Sequence, residues 1–197
     1  METLEISPNK IEKEIVEKIV NLLRKGKVII FPTDTVYIPM ADATDKKAVG
    51  RVFRIKRRSL ENPIPIFVKD MKMAKKIAKI GKKQENILRK AWPGRVTAVL
   101  ERKKTKIKLY GVASDSVALR IPDFKPINLI LEELNRPLVG TSANISGRPA
   151  SGNLREVIGQ LKGKRFQPDL TVDGGNLPGV PSTVIDLRVL PPKILRK

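Results

Sequence analysis

The chain contains no cysteine and no histidine. Without cysteine there is no disulfide framework, no thiolate zinc site and no cysteine nucleophile. Without histidine there is no Ser-His-Asp triad, no imidazole metal ligand and no imidazole general base. Any catalysis rests on Lys, Arg, Asp, Glu, hydroxyls, backbone groups or a metal carried by substrate phosphates. Aromatic residues are only 4% of the chain, too few for a base-stacking platform. No apolar run is long enough to span a bilayer. The start, Met1-Glu2-Thr3-Leu4-Glu5, carries acids and lacks the apolar centre of a signal peptide. A cytoplasmic protein with no membrane attachment is expected. Acids are scarce too, with 20 Asp and Glu against 40 Lys and Arg and a net charge of +20.

What is present fits an α/β domain. The 197 residues, 41% of them hydrophobic, suffice for one compact domain with a real core, read here as residues 1–197. Solvated lysine-rich helix faces account for many of the cations but not for the imbalance, because ion-pair networks need both signs. The surplus predicts affinity for polyanions such as nucleotides or RNA, and composition alone does not choose between them.

Ile11, Ile15, Ile19, Leu22 and Leu23 recur at helical spacing before Gly26. Helices are also predicted over about 45–55, over 71–80 with Asp70 as cap, and over 83–91, 127–134 and 154–161. Strands are predicted at 28–31, 64–68, 96–100, 117–121, 138–140, 170–172 and 183–185. Pro65 argues for an edge or bulge position in its strand. Helices and strands alternate without repeats or linkers, which predicts a single α/β domain with a twisted mixed sheet flanked by helices.

Three turns at the ends of such elements carry the polar equipment, where α/β sheets place ligands. Thr33-Asp34-Thr35 follows a buried strand, either as a self-bonded polar turn or as part of a site. Lys56 and Arg58 lie at a helix C-terminus, where the dipole favours cations. In an extended chain the two converge on one anion instead. Thr141, Ser142, Asn144 and Ser146 follow an apolar strand, as a plain turn or as an anion-holding nest. Arg120 falls in a buried strand and needs a partner. Either it pairs internally with Asp115 or Asp123, or it clamps a substrate carboxylate.

In order along the chain stand Pro32-Thr33-Asp34-Thr35-Val36-Tyr37, Phe53 with Lys56-x-Arg58, Asn62-Pro63, Trp92-Pro93-Gly94-x-Val96-Thr97 and Ala118-Leu119-Arg120-Ile121-Pro122. Thr141-Ser142-Ala143-Asn144-x-Ser146-Gly147, Asp173-Gly174-Gly175 and Pro181-Ser182-Thr183 follow. From about Phe31 to Arg196 this set resembles the threonylcarbamoyl-AMP synthase (YrdC-like) family, in its short single-domain form. The resemblance implies a YrdC-like fold with a basic concave groove. It implies a nucleotidyltransferase that makes L-threonylcarbamoyl-AMP from L-threonine, bicarbonate and ATP and releases pyrophosphate. A separate transferase complex then modifies the adenosine next to a tRNA anticodon. The family's signature falls on Lys56, Arg58, Ser142 and Asn144, implied as catalytic. Its nucleotide-side positions fall on Arg58, Asn62, Ser116, Gly140, Ser142, Asn144 and Arg196, and its threonine-side positions on Thr35, Arg120 and Ser182. Mg²⁺ is expected to arrive with the ATP phosphates, with no metal ligands on the protein. Where family members read Tyr-Gly-Leu-Gly, this chain has Tyr37-Ile38-Pro39-Met40. Glycines restored at 38 and 40 are expected not to reduce synthesis, provided the loop does not become disordered. Two other functions compete. One is a non-catalytic module on the same fold that binds double-stranded RNA or tRNA. The other is a carbamoyl-adenylate domain of a larger maturation factor, disfavoured because such factors use zinc-finger cysteines.

Overall fold

The computed structural model describes residues 2–7 and 10–197. It opens with strand β1 (Thr3–Glu5), helix α1 (Lys13–Arg24), strands β2 (Ile29–Phe31) and β3 (Ile38–Met40) and helix α2 (Lys46–Lys56). Strand β4 (Ile66–Phe67), helices α3 (Met71–Ile77) and α4 (Lys82–Ala91) and strands β5 (Val96–Glu101) and β6 (Ser116–Arg120) follow. The rest is α5 (Lys125–Leu134), β7 (Leu138–Val139), α6 (Leu154–Leu161), β8 (Leu170–Asp173), β9 (Thr183–Asp186) and β10 (Lys193–Arg196).

Every predicted helix forms, and local chemistry sets its ends. The Asp45 carboxylate accepts from the N–H groups of Lys47 and Ala48, and that of Asp70 from Met73, so both act as N-caps. α3 stops at Ile77, short of the expected 80, because Ala78 turns extended and bridges to Arg102.

The strands form two mixed sheets rather than the one expected. The first has the order β1-β8-β2-β3 and the second β10-β9-β5-β6-β4-β7. β2 is buried on both faces, as a short apolar run requires. Ile29 and Phe31 pack with the buried faces of α1 and α5. Ile30 packs on the other side with residues of α2, α3 and α6. β4 lies inside the second sheet, parallel to β6 and antiparallel to β7, so the edge position read from Pro65 is wrong. Pro65 precedes the strand, where its missing N–H interrupts no ladder, and its carbonyl accepts from Gly140 N at 2.8 Å.

β1, β3 and β10 were not expected. β3 holds Ile38, Pro39 and Met40, antiparallel to β2. Ile38 and Met40 are 1% and 0% exposed in the core with Phe31, Phe67 and Leu138. Pro39 is tolerated because β3 is an edge strand.

Candidate functional site

A cavity of about 300 Å³ opens where the β2–β3 connection meets the second sheet. Its wall includes eight of the expected site residues: Thr35, Arg58, Ser116, Arg120, Gly140, Ser142, Ser182 and Arg196. Lys56, Asn62 and Asn144 are not in the wall. Three arginines line the cavity and no acidic side chain does.

Arg120 extends from the end of β6, and its side chain is 2% exposed. Nε donates to Gly94 O at 2.8 Å and Nη1 to Thr35 Oγ1 at 3.2 Å. Nη2 reaches both Asp34 oxygens at 2.6 Å. The partner is thus neither Asp115 nor Asp123. Asp115 is exposed and lies 3.9 Å from Arg188, and Asp123 offers only its backbone N–H, to Asp34 Oδ2 at 3.3 Å. Burial lowers the Arg120 pKa, and Asp34 opposes that. Of five guanidinium hydrogens, one on Nη1 is left for a ligand. The fork expected to meet a substrate carboxylate is already occupied by Asp34.

Beside Arg120 the wall turns apolar. The Phe67 ring centroid lies 5.5 Å from the guanidinium carbon, and Ile38 stands in the same wall. A Cβ at position 140 would lie 2.2 Å from the Phe67 ring, so Phe67 itself requires Gly140. The Ser182 hydroxyl bonds to Thr97 Oγ1 at 2.8 Å, and Ser182 O accepts from Arg196 Nη2 at 2.7 Å. Thr97 was read only as part of a motif. Its signal was a hydroxyl in an otherwise apolar strand, and it is 1% exposed.

Lys56 ends α2, and Arg57 then turns left-handed at φ 51°, which carries Arg58 off the helix. Arg58 lines the cavity and Lys56 does not. Arg58 donates to Asn62 O at 2.8 Å and Pro63 O at 2.9 Å, which is how Asn62 enters the site. Burial lowers the pKa of both Arg58 and Arg196. Lys56 points inward, 2% exposed. Its ammonium donates to Ser142 O, to Asn144 O at 3.0 Å and to Asn144 Oδ1 at 3.1 Å. Its own carbonyl accepts from Ser146 N at 2.8 Å. Lys56 therefore clamps the 141–147 turn from behind. Asn144 Oδ1 also accepts from Ser142 Oγ at 2.6 Å. The full backbone nest is not realised, since the N–H groups of Ala143, Ile145 and Ser146 all bond within the protein.

Burial, aided by the charge of Arg58, lowers the Lys56 pKa from 10.5 to about 7. Between those values the unfolded chain binds a proton that the folded chain releases, so stability rises with pH across that window. Denaturation midpoints measured from pH 6 to 10 are expected to rise relative to those of Lys56→Met as pH passes 7. Parallel curves for the two proteins would show that Lys56 stays charged.

The Asp173-Gly174-Gly175 motif is structural. The Tyr37 hydroxyl lies 2.7 Å from Gly175 O and 3.0 Å from Asp173 Oδ1, and accepts from Gly174 N at 3.1 Å. This ties the β2–β3 connection to the end of β8.

The Sua5_yciO_yrdC family, described as "Telomere recombination", matches residues 21–197. The chain belongs to this family. A threonylcarbamoyl-AMP synthase of Pyrococcus abyssi is 36% identical over 176 residues, covering 88% of this chain and 51% of that protein. The structure of P. abyssi Sua5 complexed with L-threonine superposes with a TM-score of 0.87 at 34% identity, over 99% of this chain and 56% of that one. Escherichia coli YciO gives 0.89 at 26% identity, over 100% and 96%. This family member thus spans about half the length of the Pyrococcus relative. Among the described residues no helix is long and apolar enough to cross a membrane, and no cluster of three or more acidic side chains could hold a metal.

Proposed function

We propose that this chain makes L-threonylcarbamoyl-AMP from L-threonine, bicarbonate and ATP, with residues 1–197 acting as one domain. The observation that carries the reading is the cavity wall, which joins Arg58, Arg120 and Arg196 to the hydroxyls of Thr35, Ser142 and Ser182 without an acid. Its volume is at the lower end of the range for small-molecule sites. Relatives bearing the synthase name support it.

In the proposed reaction the threonine nitrogen bonds to the carbon of bicarbonate, with loss of water, to give a carbamate. A carbamate oxygen attacks the α-phosphorus, and the bond to the β-phosphate oxygen breaks, releasing pyrophosphate. Every species gaining charge is an anion, so fixed cations and positioning supply the rate. Arg58 and Arg196, with Ser116, Gly140 and Ser142, take the nucleotide side. Thr35, Ser182 and the free Nη1 hydrogen of Arg120 take the amino acid. Lys56 and Asn144 position Ser142, and Asn62 positions Arg58. Mg²⁺ enters with the ATP phosphates as part of the substrate. The product then goes to a separate transferase for tRNA modification. The net charge of +20 also suits a non-catalytic RNA module, but such a module would not require the hydroxyls of Thr35, Ser142 and Ser182 in the cavity wall.

Labelled bicarbonate, incubated with L-threonine, MgATP and the protein, is expected to yield a labelled adenylate that depends on all three substrates. Absence of that product from correctly folded protein overturns the reading. Arg58→Ala is expected to raise the Kd for ATP about ten- to a hundredfold, the worth of a charge-assisted hydrogen bond. Arg58 is only half-buried, so the fold should persist. Unchanged ATP affinity by calorimetry would remove Arg58 from the nucleotide side.

A further inference from the structure

Large apolar side chains are exposed at few positions, and most of them gather at one sheet edge. Among the described residues, six such side chains are about half-exposed or more. Leu60 stands apart from the rest, and Val180 shortly precedes β9. Val189 and Leu190 lie in the β9–β10 connection, and Ile194 and Leu195 lie in β10 itself. β10 ends the second sheet and pairs with β9 alone. All four of its residues are exposed. Its outer side therefore presents N–H and C=O groups that no neighbouring strand engages.

The same edge is basic. From Leu187 to Lys197 the chain carries Arg188, Lys193, Arg196 and Lys197 and no acid. Asp186 stands opposite Lys193 across the ladder, but Arg188 holds it at 2.7 Å. Among the described residues, none of Lys193, Arg196 and Lys197 lies within 4.0 Å of a carboxylate. The edge thus offers three things together: open backbone groups, apolar side chains and uncompensated cations.

These three features decide what fits. A membrane surface would take the apolar side chains and the cations but strand the backbone groups without partners. A nucleic acid would answer the cations and leave the apolar side chains uncovered. A second copy of this chain would pair the backbone. In the antiparallel register that uses the whole strand, however, it would set Lys193 against the other copy's Arg196, and like charges directly opposite destabilise a ladder. The shift of register between Ile194 and Arg196 further blunts the edge against self-pairing. An extended segment in which acids alternate with apolar residues answers all three features.

We propose that the free edge of β10 docks an extended acidic segment of a partner protein by strand addition. The partner is thereby seated beside the cavity. Arg196 makes the link, because it belongs to β10 and lines the cavity, with Nη2 on Ser182 O at 2.7 Å. Docking concerns binding and not the reaction, so it stands apart from the proposed function.

The probe is a short peptide of alternating glutamate and valine with blocked ends. Amide NMR of the labelled protein during titration is expected to show shifts centred on residues 193–197 and on their partners in β9. The same peptide N-methylated at every second residue keeps its charge and side chains but cannot complete the ladder. It is expected to bind at least tenfold more weakly, since several backbone hydrogen bonds are lost. A peptide with lysine in place of glutamate should not bind. Leu195→Glu removes an apolar contact and sets a like charge against the probe, so it should weaken binding about tenfold. Leu195 is exposed, and an unaltered spectrum outside β10 checks that the fold persists. Lys83→Glu, on the exposed face of α4, should stay close to the parent protein and so excludes attraction by net charge alone. Shifts centred away from β10, or equal affinity for the N-methylated peptide, overturn the proposal. Dimerisation of the protein alone, or binding to anionic phospholipid vesicles, that Leu195→Glu abolishes also overturns it and assigns the edge to that occupant.

Discussion

Asp34→Ala is expected to lower stability by about 3–5 kcal/mol, the cost of stranding one partner of a buried ion pair. The Asp34 and Arg120 side chains are 7% and 2% exposed, so water does not replace the lost carboxylate. Arg120 would keep Gly94 O and Thr35 Oγ1 but hold an uncompensated charge. Removing both partners, as in Asp34→Ala with Arg120→Met, should cost less than the sum of the single changes, because no charge is stranded. Denaturant titration of the four proteins reads this directly. A loss below about 1 kcal/mol for Asp34→Ala would mean that the pair behaves like an exposed surface bridge. The catalytic corollary concerns threonine. With Asp34 gone, the Arg120 fork becomes free, so any threonine affinity that survives should depend more on Arg120 than it does in the parent protein.

Ile38→Gly combined with Met40→Gly should unfold the protein or leave it barely folded. Large-to-small changes at buried positions cost about 2–5 kcal/mol each, and glycine further weakens a strand. The sum approaches the whole stability of an ordinary domain. Both side chains are fully buried against Phe31, Phe67 and Leu138. This reverses the expectation drawn from the motif, in which glycines at 38 and 40 were to be tolerated. Circular dichroism during thermal melting decides the matter, and a double variant that melts within a few degrees of the parent would show that the site collapses without a cavity. Read as a loop, Ile38-Pro39-Met40 was a departure beside a pocket. As strand β3 it is core, and Ile38 also forms part of the cavity wall.

The sequence by itself determined whatever depends on neighbours along the chain. The helical periodicity through Ile15, Ile19, Leu22 and Leu23, the cap signal at Asp70 and the buried run at 28–31 all became the expected elements. Composition excluded cysteine and histidine chemistry without any structure. The ordered motifs pointed to the family, and eight of the site residues implied by that resemblance share one cavity. Tertiary structure alone decided which polar groups face a ligand and which face the protein. Arg120 and Asp34 are 86 positions apart, and Lys56 reaches carbonyls 86 and 88 positions away. Spacing along the chain does not encode such pairings. They follow from which strands become neighbours, and that is set by burial of apolar faces over the whole chain. Lys56 read either as a cation favoured by the helix dipole or as one for an external anion, and its ammonium holds the 141–147 turn from behind. Arg120 read either as an internal ion-pair partner of Asp115 or Asp123 or as a substrate clamp, and its internal carboxylate is that of Asp34. The division into two sheets has the same origin, because a strand's pattern shows that it pairs but not with which partner.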